Sequence, residues 1–499
     1  MNPTISYRPG YNQALGDRLW NFGNVLRDNG TSGMEYIEQL SSLIVLKRVH
    51  EQRQRPLNRK DVLGFDAWVQ LTSTDRDNLI PVYEQILGSL AARPGTLGLL
   101  FRRAQNRIPE AALLHRLIID VVDRYQWSAG DIGAIFEALL ARMTADTKTG
   151  AGQYFTPRSL IEAIVQCVQP GIDDTVTDPA CGTGGFLIKA FDYLVDHFPS
   201  DVTSAQRKRL DQGAFFGTEL VDATARLATT NLVLHGVTQA NEATACIKVG
   251  DALARPPVRR ATLVLTNPPF GRRSTSEEPY REDFWTVTTS RQLNFLQHIH
   301  SLLETDGRAA VVVPDSVLFE GGAGELIRRR LLAACDVHTL LRLPTGIFYA
   351  RGLKASVLFF DKPDPRPDGS PSTTRLWVYD LRSAHTATGK ITPLNRADYA
   401  DFVSCYQPGR LRRERVETPR FRSFAIQDLL ARPGVNLDLQ VAEPSPEPFT
   451  LEEPEADLYL MAQEITAELS SALAEFTSLV EALRPFGVHV DSPNRVGER

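Results

Sequence analysis

The feature that most constrains the fold is an alternation of short β-branched runs with helical segments between Gly152 and Lys362. Strands that alternate with helices form a mostly parallel sheet with helices on both faces. We therefore predict an α/β protein with a doubly wound sheet. The predicted strands are DTVTDPA, AFFGTEL, ACIKVGD, ATLVLTN, GRAAVVVPD, VHTLLRL and KASVLFFD.

The last two predicted strands are joined by PTGIFYARGL, which leaves little room for a crossover helix. Parallel neighbours need a long crossover, whereas antiparallel neighbours can be joined by a short connection. We therefore expect KASVLFFD to be an antiparallel strand at the edge of the sheet.

Helical patterns flank this α/β region. Apolar residues before it follow a three-and-four rhythm, and a second apolar stripe runs from Leu458 to Leu483 behind the breakers EPSPEPF. That second stripe resembles a coiled-coil seam, and binding to a partner and packing on its own domain are about equally favoured. We predict an all-helical N-terminal domain over 1–147, an α/β domain over 148–440 and a C-terminal linker with a partner-binding helix over 441–499.

Composition restricts the function classes. The chain of 499 residues carries 55 Lys and Arg against 60 Asp and Glu, so DNA binding would need a local basic cleft or a more basic partner. The five cysteines are scattered without a CxxC pair, which argues against a zinc ribbon or a disulfide framework. We find neither a membrane-spanning apolar run nor a signal-peptide core, and we expect a cytoplasmic protein.

The segment DPACGTGGFL, residues 178–187, is predicted to lie where the first strand turns into a helix. Gly182, Gly184 and Gly185 allow the backbone to approach a ligand, and a helix N-terminus offers free amides. The spacing is neither GxGxxG nor GK[ST], which disfavours NAD and ATP. A glycine-rich turn alone is weak support for any one ligand, but it predicts a cofactor site at the carboxyl ends of parallel strands.

The next two predicted strands end in acidic residues. Glu219 can accept hydrogen bonds from both hydroxyls of a ribose, and Asp251 can accept one from an adenine amino group. Each alone is better explained as an ordinary strand-end or helix-capping acid. Three successive strand ends that offer such groups favour a nucleoside-containing cofactor.

The fourth predicted strand ends in TNPPF. Asn267 presents an amide carbonyl, Pro268 and Pro269 restrict the backbone and remove amide donors, and Phe270 offers a flat face. The Asn267 side-chain oxygen and the Pro268 backbone oxygen suit the two protons of an exocyclic amine, while Phe270 suits stacking on a planar base. The alternative is a rigid proline turn without chemistry, which the neighbouring motifs disfavour.

The motifs GQYFTP, DPACGTGGF, GTEL, GDAL and TNPPF together resemble the S-adenosylmethionine-dependent adenine-N6 DNA methyltransferases, specifically the modification subunits of type I restriction-modification systems. In that subgroup YFTP precedes the glycine-rich motif, as it does here. The resemblance covers about Tyr11 to Asp361, including LPTGIF near the end of the sheet, and the C-terminal part loosely. It implies a class I methyltransferase (Rossmann-like) fold.

The resemblance also implies roles for individual residues, with no metal ion and no covalent intermediate. The target adenine would leave the helical stack to reach the methyl group. The implied S-adenosylmethionine residues are Tyr154, Phe155 and Thr156 at the methionine end, Asp178, Ala180, Gly182 and Gly184 around its amino-acid portion, Glu219 at the ribose and Asp251 at the adenine. The implied catalytic residues are Asn267, Pro268, Pro269 and Phe270, which would hold the target base.

The family implies partners as well. They are double-stranded DNA, a separate specificity subunit held by two copies of this chain, and a restriction or translocase subunit, because we find no helicase-type phosphate loop or nuclease motif here. The helix from Leu458 to Leu483 is the predicted contact with the specificity subunit. The segment GRRSTSEEPYREDFWTVTTSRQ is equally well explained as a loop that orders over DNA and as a solvent loop.

Two other functions fit parts of the sequence. Glutamine methyltransferases that act on release factors also carry an N-P-P-aromatic motif, but their aromatic residue is usually tyrosine and they lack the long helical regions found here. A catalytically silent subunit would use the same fold for assembly or DNA positioning. The intact Asn267 and Phe270 argue against that second alternative.

Overall fold

The structure is a computed structural model, and the residues that it describes lie within Met1–Ala442. Tyr154, Phe155 and the predicted C-terminal helix lie outside the described residues. The described ranges are 19–26, 33–53, 66–124, 136, 138–139, 156–198, 203–211, 213–237, 245–271, 281–348, 353–382, 394–409 and 411–441.

Within these ranges a nine-stranded sheet forms the centre of the molecule. All seven predicted strands are present, and two more follow them in the chain. The strands are β1 (Val176–Asp178), β2 (Phe215–Glu219), β3 (Ile247–Val249), β4 (Ala261–Thr266), β5 (Leu303–Pro314), β6 (Asp336–Arg342), β7 (Ala355–Lys362), β8 (Arg375–Asp380) and β9 (Phe421–Ala425).

The spatial order of the strands is β3-β2-β1-β4-β5-β7-β6-β8-β9. The neighbours from β3 to β5 are all parallel, so the carboxyl ends of β1 to β4 lie along one edge of the sheet. Together with helices on both faces, this confirms the predicted mostly parallel, doubly wound α/β fold.

The antiparallel strand is confirmed, but its predicted position at the edge of the sheet is wrong. β7 pairs antiparallel with both β5 and β6, so it lies inside the sheet. β8 adds parallel to β6, and β9 adds antiparallel to β8. The physical reason lies in the sequence of β7: Phe359 packs into the core on one face and Phe360 into the core on the other. A continuous apolar run of this kind is typical of a strand buried on both faces.

Helices account for the other regular structure of the described residues. Residues 19–26 are helical, and a π-helical segment spans Leu117–Asp123. Short 3₁₀ turns occupy Arg76–Asn78, Asp315–Leu318, Arg396–Tyr399, Arg412–Glu414 and Pro433–Val435. The α-helices are α1 (Gly33–Arg53), α2 (Ala67–Ser73), α3 (Leu79–Ala91), α4 (Gly95–Phe101), α5 (Ala111–Arg116), α6 (Arg158–Val168), α7 (Gly185–His197), α8 (Ser204–Asp211), α9 (Asp222–His235), α10 (Arg291–Leu302), α11 (Ala323–Ala334), α12 (Ala400–Tyr406) and α13 (Ile426–Ala431).

Helix α9 connects the N-terminal helices to the sheet. Its residues Ala225 and Leu232 belong to the core between the sheet and helices α6, α7 and α9. Leu227 and Leu234 of the same helix belong to the core of the N-terminal helices. Because α9 follows β2 almost directly, the helical region packs against the element that leads out of Glu219.

Two arginine-rich runs, RRR at residues 328–330 and GRLRRER at residues 409–415, each contain a buried arginine that bonds within the protein. Arg328 is 2% exposed and donates to the backbone oxygens of Val317 and Val435 at 2.8 and 3.0 Å. Arg415 is 7% exposed and donates to the backbone oxygen of Tyr406 at 2.9 Å. These two guanidinium groups stabilise the fold and do not form part of an open basic surface.

The stretch after the TNPPF motif is described from residue 281 onward, and there it packs against α10. Gln297 of α10 donates to the backbone oxygen of Thr286 at 3.1 Å and accepts from its backbone amide at 3.0 Å. Asn294 donates to the backbone oxygen of Thr288 at 2.7 Å. This part is therefore fixed to the protein, while residues 272–280 lie outside the description. No helix in the described ranges is long and apolar enough to cross a membrane.

Candidate active site

The glycine-rich turn after β1 lies against the end of β2. The backbone amide of Cys181 donates to the backbone oxygen of Thr218 at 3.0 Å. Gly182 and Gly184 have φ angles of +53° and +85°, a left-handed conformation that favours glycine, and Gly184 caps helix α7. A Cβ on Gly217 would lie 3.0 Å from the Cβ of Cys181, so β2 needs glycine for the turn to approach it.

Glu219 joins β2 to this turn. Its Oε2 accepts from the backbone amide of Gly182 at 3.0 Å, and its Oε1 accepts from that of Val221 at 2.8 Å. A carboxylate has about four acceptor positions, so both oxygens keep capacity for ligand hydroxyls. Burial raises the pKa of Glu219, whereas the amide hydrogen bonds lower it.

Asp178 lies at the base of the turn and is only 1% exposed. Its Oδ1 accepts from the backbone amide of Ala180 at 3.0 Å. Burial raises the pKa of Asp178 to about 7, and the nearby charge of Glu219 acts in the same direction. At this pKa the carboxyl exchanges its proton near neutral pH, so a cationic ligand beside it would favour the ionised form.

Asn267 follows β4 and is oriented by a residue far away in the sequence. Its Nδ2 donates to Oγ1 of Thr156 at 2.8 Å. Its Oδ1 is buried and has no hydrogen-bond partner within the part of the chain that the structure describes. A buried acceptor without a partner is costly, so this oxygen is available to accept a hydrogen bond from a ligand.

The structure places five of the eleven predicted site residues that it describes in the lining of one pocket, which we name the strand-end pocket. They are Thr156, Asp178, Ala180, Gly182 and Asn267. Gly185 and Phe186 of α7 also line it. Gly184 and Glu219 do not line it, although Glu219 accepts a hydrogen bond from the backbone amide of Gly182.

Asp251 lies one strand further out and lines a neighbouring cleft. Its Oδ1 accepts from the backbone amide of Leu253 at 2.8 Å, which shapes the turn after β3. The backbone amide of Gly250 donates to the backbone oxygen of Glu219 at 2.9 Å. The end of β3 is thereby joined to the end of β2, although Asp251 does not line the strand-end pocket itself.

The remaining residues of TNPPF continue the chain away from Asn267. Pro268 is buried, and Pro269 and Phe270 are partly exposed. Phe348 of the LPTGIF motif meets Phe270 edge-on, with ring centroids 6.5 Å apart and an interplanar angle of 84°. This contact fixes the position of the Phe270 ring beside the strand end.

Several lining residues of the strand-end pocket were not predicted, and three of them are polar or charged side chains that bear on its chemistry. Asn231 of α9 is 1% exposed, and its Nδ2 donates to the backbone oxygen of Thr183 at 3.1 Å. Its Oδ1 is buried without a partner among the described residues. The others are Arg158 and Lys189, which add positive charge. Asparagine on a buried helix face, in TTNLVLHG, was the available signal in the sequence.

Histidine and acidic groups do not form a metal site within the described ranges, where no cluster of three or more candidate ligands is found. His298 is buried beside Arg281, with 3.0 Å between its Nδ1 and the Arg281 Nη1. Burial, with the Arg281 charge, lowers the pKa of His298 to about 3. It is therefore neutral near neutral pH and packs as part of the fold.

Comparison with known proteins shows the family of this chain. Residues 128–438 match the family N-6 DNA Methylase. The StySJI methylase subunit of a type I restriction enzyme from Salmonella typhimurium (strain LT2) is 35% identical, over 95% of this chain and 96% of that protein. The EcoKI methylase subunit from Escherichia coli (strain K12) is 34% identical, over 95% and 96% of the two chains.

A solved chain gives the same result at the level of structure. It comes from a study of complex assembly and conformational transition in the type I restriction-modification system. It superposes with a TM-score of 0.71 at 25% identity, covering 94% of this chain and 99% of the solved one.

The sheet, the strand-end pocket and these matches define the class of protein. It is a methyltransferase of the class I fold that acts on the N6 of adenine in DNA. The chain belongs to the N-6 DNA methylase family, within the group formed by the methylase subunits of type I restriction enzymes. Membership of this family implies the use of S-adenosylmethionine.

Proposed function

We propose that the strand-end pocket binds S-adenosylmethionine and that TNPPF presents the N6 of a flipped adenine to it. The observation that carries this proposal is the buried, unpaired Oδ1 of Asn267. A carbonyl oxygen in that position needs a donor, and the exocyclic amine of adenine supplies one. The anchoring of Nδ2 by Thr156 leaves the oxygen as the free end of the amide.

The catalytic residues would act on the amine of the base. Asn267 Oδ1 and the backbone oxygen of Pro268 would accept hydrogen bonds from its two N–H groups. These hydrogen bonds localise the lone pair on the nitrogen. Pro269 would restrict the backbone, and Phe270 would stack on the ring. S-adenosylmethionine, when bound, supplies an electrophilic methyl group. One N–H proton is replaced by methyl and passes to solvent, and proximity and orientation supply most of the rate.

The cofactor assignment rests on the fit of the turn and the acids. Gly182 lines the pocket without a side chain, Gly184 adopts the left-handed conformation that begins α7, and Glu219 keeps acceptor positions for ribose hydroxyls. Asp178 and Ala180 would face the amino-acid portion, and the ammonium group would favour the Asp178 carboxylate. We retain Asp251 for the adenine of the cofactor, and Tyr154 and Phe155 for its methionine end.

We further propose the partners and the organisation implied by the family. Two copies would bind one specificity subunit that reads double-stranded DNA, with a restriction or translocase subunit joining them in the cytoplasm. The proposed domains are residues 1–147, 148–440 and 441–499. The proposed contact with the specificity subunit is the helix from Leu458 to Leu483. Deletion of the chain after Pro454 should abolish co-purification with that subunit, and retained assembly would count against this contact.

The experiment that tests the function is transfer of labelled methyl from S-adenosylmethionine to DNA. The full chain is assayed alone and with the subunit encoded beside it, and the DNA is then digested to nucleosides. We expect label in N6-methyladenine when the partner is present. Label in protein would favour a glutamine methyltransferase, and a bound cofactor without any transfer would favour a silent assembly subunit.

A further inference from the structure

We propose that the Thr156 hydroxyl is a positioning group for the catalytic amide: it holds Asn267 with Oδ1 toward the target base. This inference rests on the proposed function and adds a second role for Thr156. The family resemblance places Thr156 at the methionine end of the cofactor, and the residue lines the strand-end pocket. Its Oγ1 also accepts the hydrogen bond of Asn267 Nδ2 at 2.8 Å.

An asparagine amide has two ends of nearly the same shape and opposite polarity. Only one orientation allows the amide to accept a hydrogen bond from an amine, because the other orientation turns the N–H groups of the amide toward those of the amine. A hydroxyl can donate as well as accept, so a hydroxyl partner holds the amide in place, and the N–H groups of the base then favour the orientation with Oδ1 toward them. Thr156, at 8% exposure, is such a partner in a place with little access to water.

The two residues approach each other through the fold and are 111 positions apart in the chain. Thr156 lies just before helix α6, which packs on the sheet through Leu160 and Ile164. Asn267 directly follows β4, a strand in the middle of the sheet. Both groups are therefore attached to rigid elements, and a hydrogen bond between them restricts the amide well.

Loss of the hydroxyl would have a defined consequence. Valine has nearly the shape of threonine but cannot accept a hydrogen bond, so Nδ2 would be left buried without this partner. The amide would then be free to turn, and its N–H groups would compete for the place of the base. We expect kcat to fall roughly 10- to 100-fold in Thr156→Val, the range that corresponds to one unsatisfied buried polar group.

The test compares Thr156→Val with Thr156→Ser, which keeps the hydroxyl, in the full chain assembled with its specificity subunit. Methyl transfer gives kcat and the KM for DNA, and calorimetry gives the affinity for S-adenosylmethionine. We expect Thr156→Val to lower kcat while both binding constants stay within about threefold of wild type. We expect Thr156→Ser to keep kcat within about threefold of wild type. Thermal unfolding of the three proteins shows whether the fold is intact.

Different failures have different meanings. Wild-type kcat in Thr156→Val would overturn the positioning role. A loss confined to cofactor affinity would also overturn it and return Thr156 to the methionine end. If the wild-type assembly makes no N6-methyladenine, the proposed function itself fails, and this inference fails with it.

Discussion

The two halves of the candidate site are built differently. On the cofactor side, the backbone turn after β1 is tied to β2 through Cys181 and Gly182, and the Glu219 carboxylate already accepts two backbone amides. On the target side, Asn267 is tied down only through its nitrogen, and its oxygen is unpaired within the described part of the chain. The cofactor half is therefore largely formed in advance, whereas the target half is complete only with the base in place.

This difference predicts that the two halves can be disabled separately. The largest effect should come from Asn267→Ala, which removes the acceptor for the amine. We expect methyl transfer to fall on the order of 100- to 1,000-fold, the usual cost of losing one directed hydrogen bond to the reacting group. The measurement is single-turnover transfer with the assembled protein.

Asn267→Gln is the matched control, because it keeps the amide but displaces it by one methylene. We expect a comparable loss, since the base must lie within hydrogen-bond distance of the oxygen. Unchanged transfer in Asn267→Ala would remove Asn267 from the mechanism.

The close approach of the turn to β2 makes the cofactor half sensitive to an added side chain. A Cβ added at Gly217 would lie 3.0 Å from the Cβ of Cys181 and 3.1 Å from its Sγ. We expect Gly217→Ala to lower the free energy of unfolding by about 1–3 kcal/mol and to weaken cofactor binding, because the turn must shift. Chemical denaturation and calorimetry measure the two effects.

Gly88 of α3 offers a matched control, because a Cβ there would meet nothing within 4 Å. We expect Gly88→Ala to leave cofactor binding unchanged and to stabilise the helix slightly. Equal behaviour of the two alanine variants would show that the approach of the turn to β2 does not matter.

The pH dependence of cofactor binding probes Asp178, whose pKa burial raises to about 7. Its carboxylate form should be selected by the ammonium group of S-adenosylmethionine, so the bound state holds fewer protons than the free state. Affinity should then be full above pH 7 and fall below it, by up to roughly tenfold per pH unit. Calorimetry between about pH 5.5 and 8.5 measures this, and Asp178→Asn should remove the dependence. A flat wild-type profile would contradict the assignment.

The smallest predicted effect concerns Asn231, which donates to the backbone oxygen of Thr183 in the glycine-rich turn. Asn231→Ala should weaken S-adenosylmethionine binding roughly fivefold to tenfold, the value of one partly buried hydrogen bond. Thr230→Ala is the control, because that hydroxyl bonds to the backbone oxygen of Arg226 within its own helix. Equal affinities of the two variants would mean that the turn does not depend on Asn231.

The cofactor half was also the more predictable half from sequence. Gly182 and Gly184 are residues that favour a left-handed turn, and Glu219 and Asp251 stand where predicted strands end. Local sequence patterns are therefore sufficient to indicate these four positions. Parallel pairing of the strands then brings these ends to one edge of the sheet.

What local patterns missed depends on contacts between distant parts of the chain. The position of β7 inside the sheet follows from its antiparallel pairing with both β5 and β6, which spacing alone does not predict. The bond between Thr156 and Asn267 depends on the packing of α6 against the sheet. Arg328 stands in the charged run RRR, which is typical of an exposed surface. Its carbonyl partners at Gly434 and Val435 lie more than a hundred residues away in the chain.

The most direct test of this account is a structure of the assembled protein with S-adenosylhomocysteine and DNA that contains the target site. The account predicts a flipped adenine whose N6 lies about 3 Å from Asn267 Oδ1, with Nδ2 still bound to Thr156 Oγ1. An Asn267 oxygen that contacts the cofactor, or that points away from the base, would contradict it.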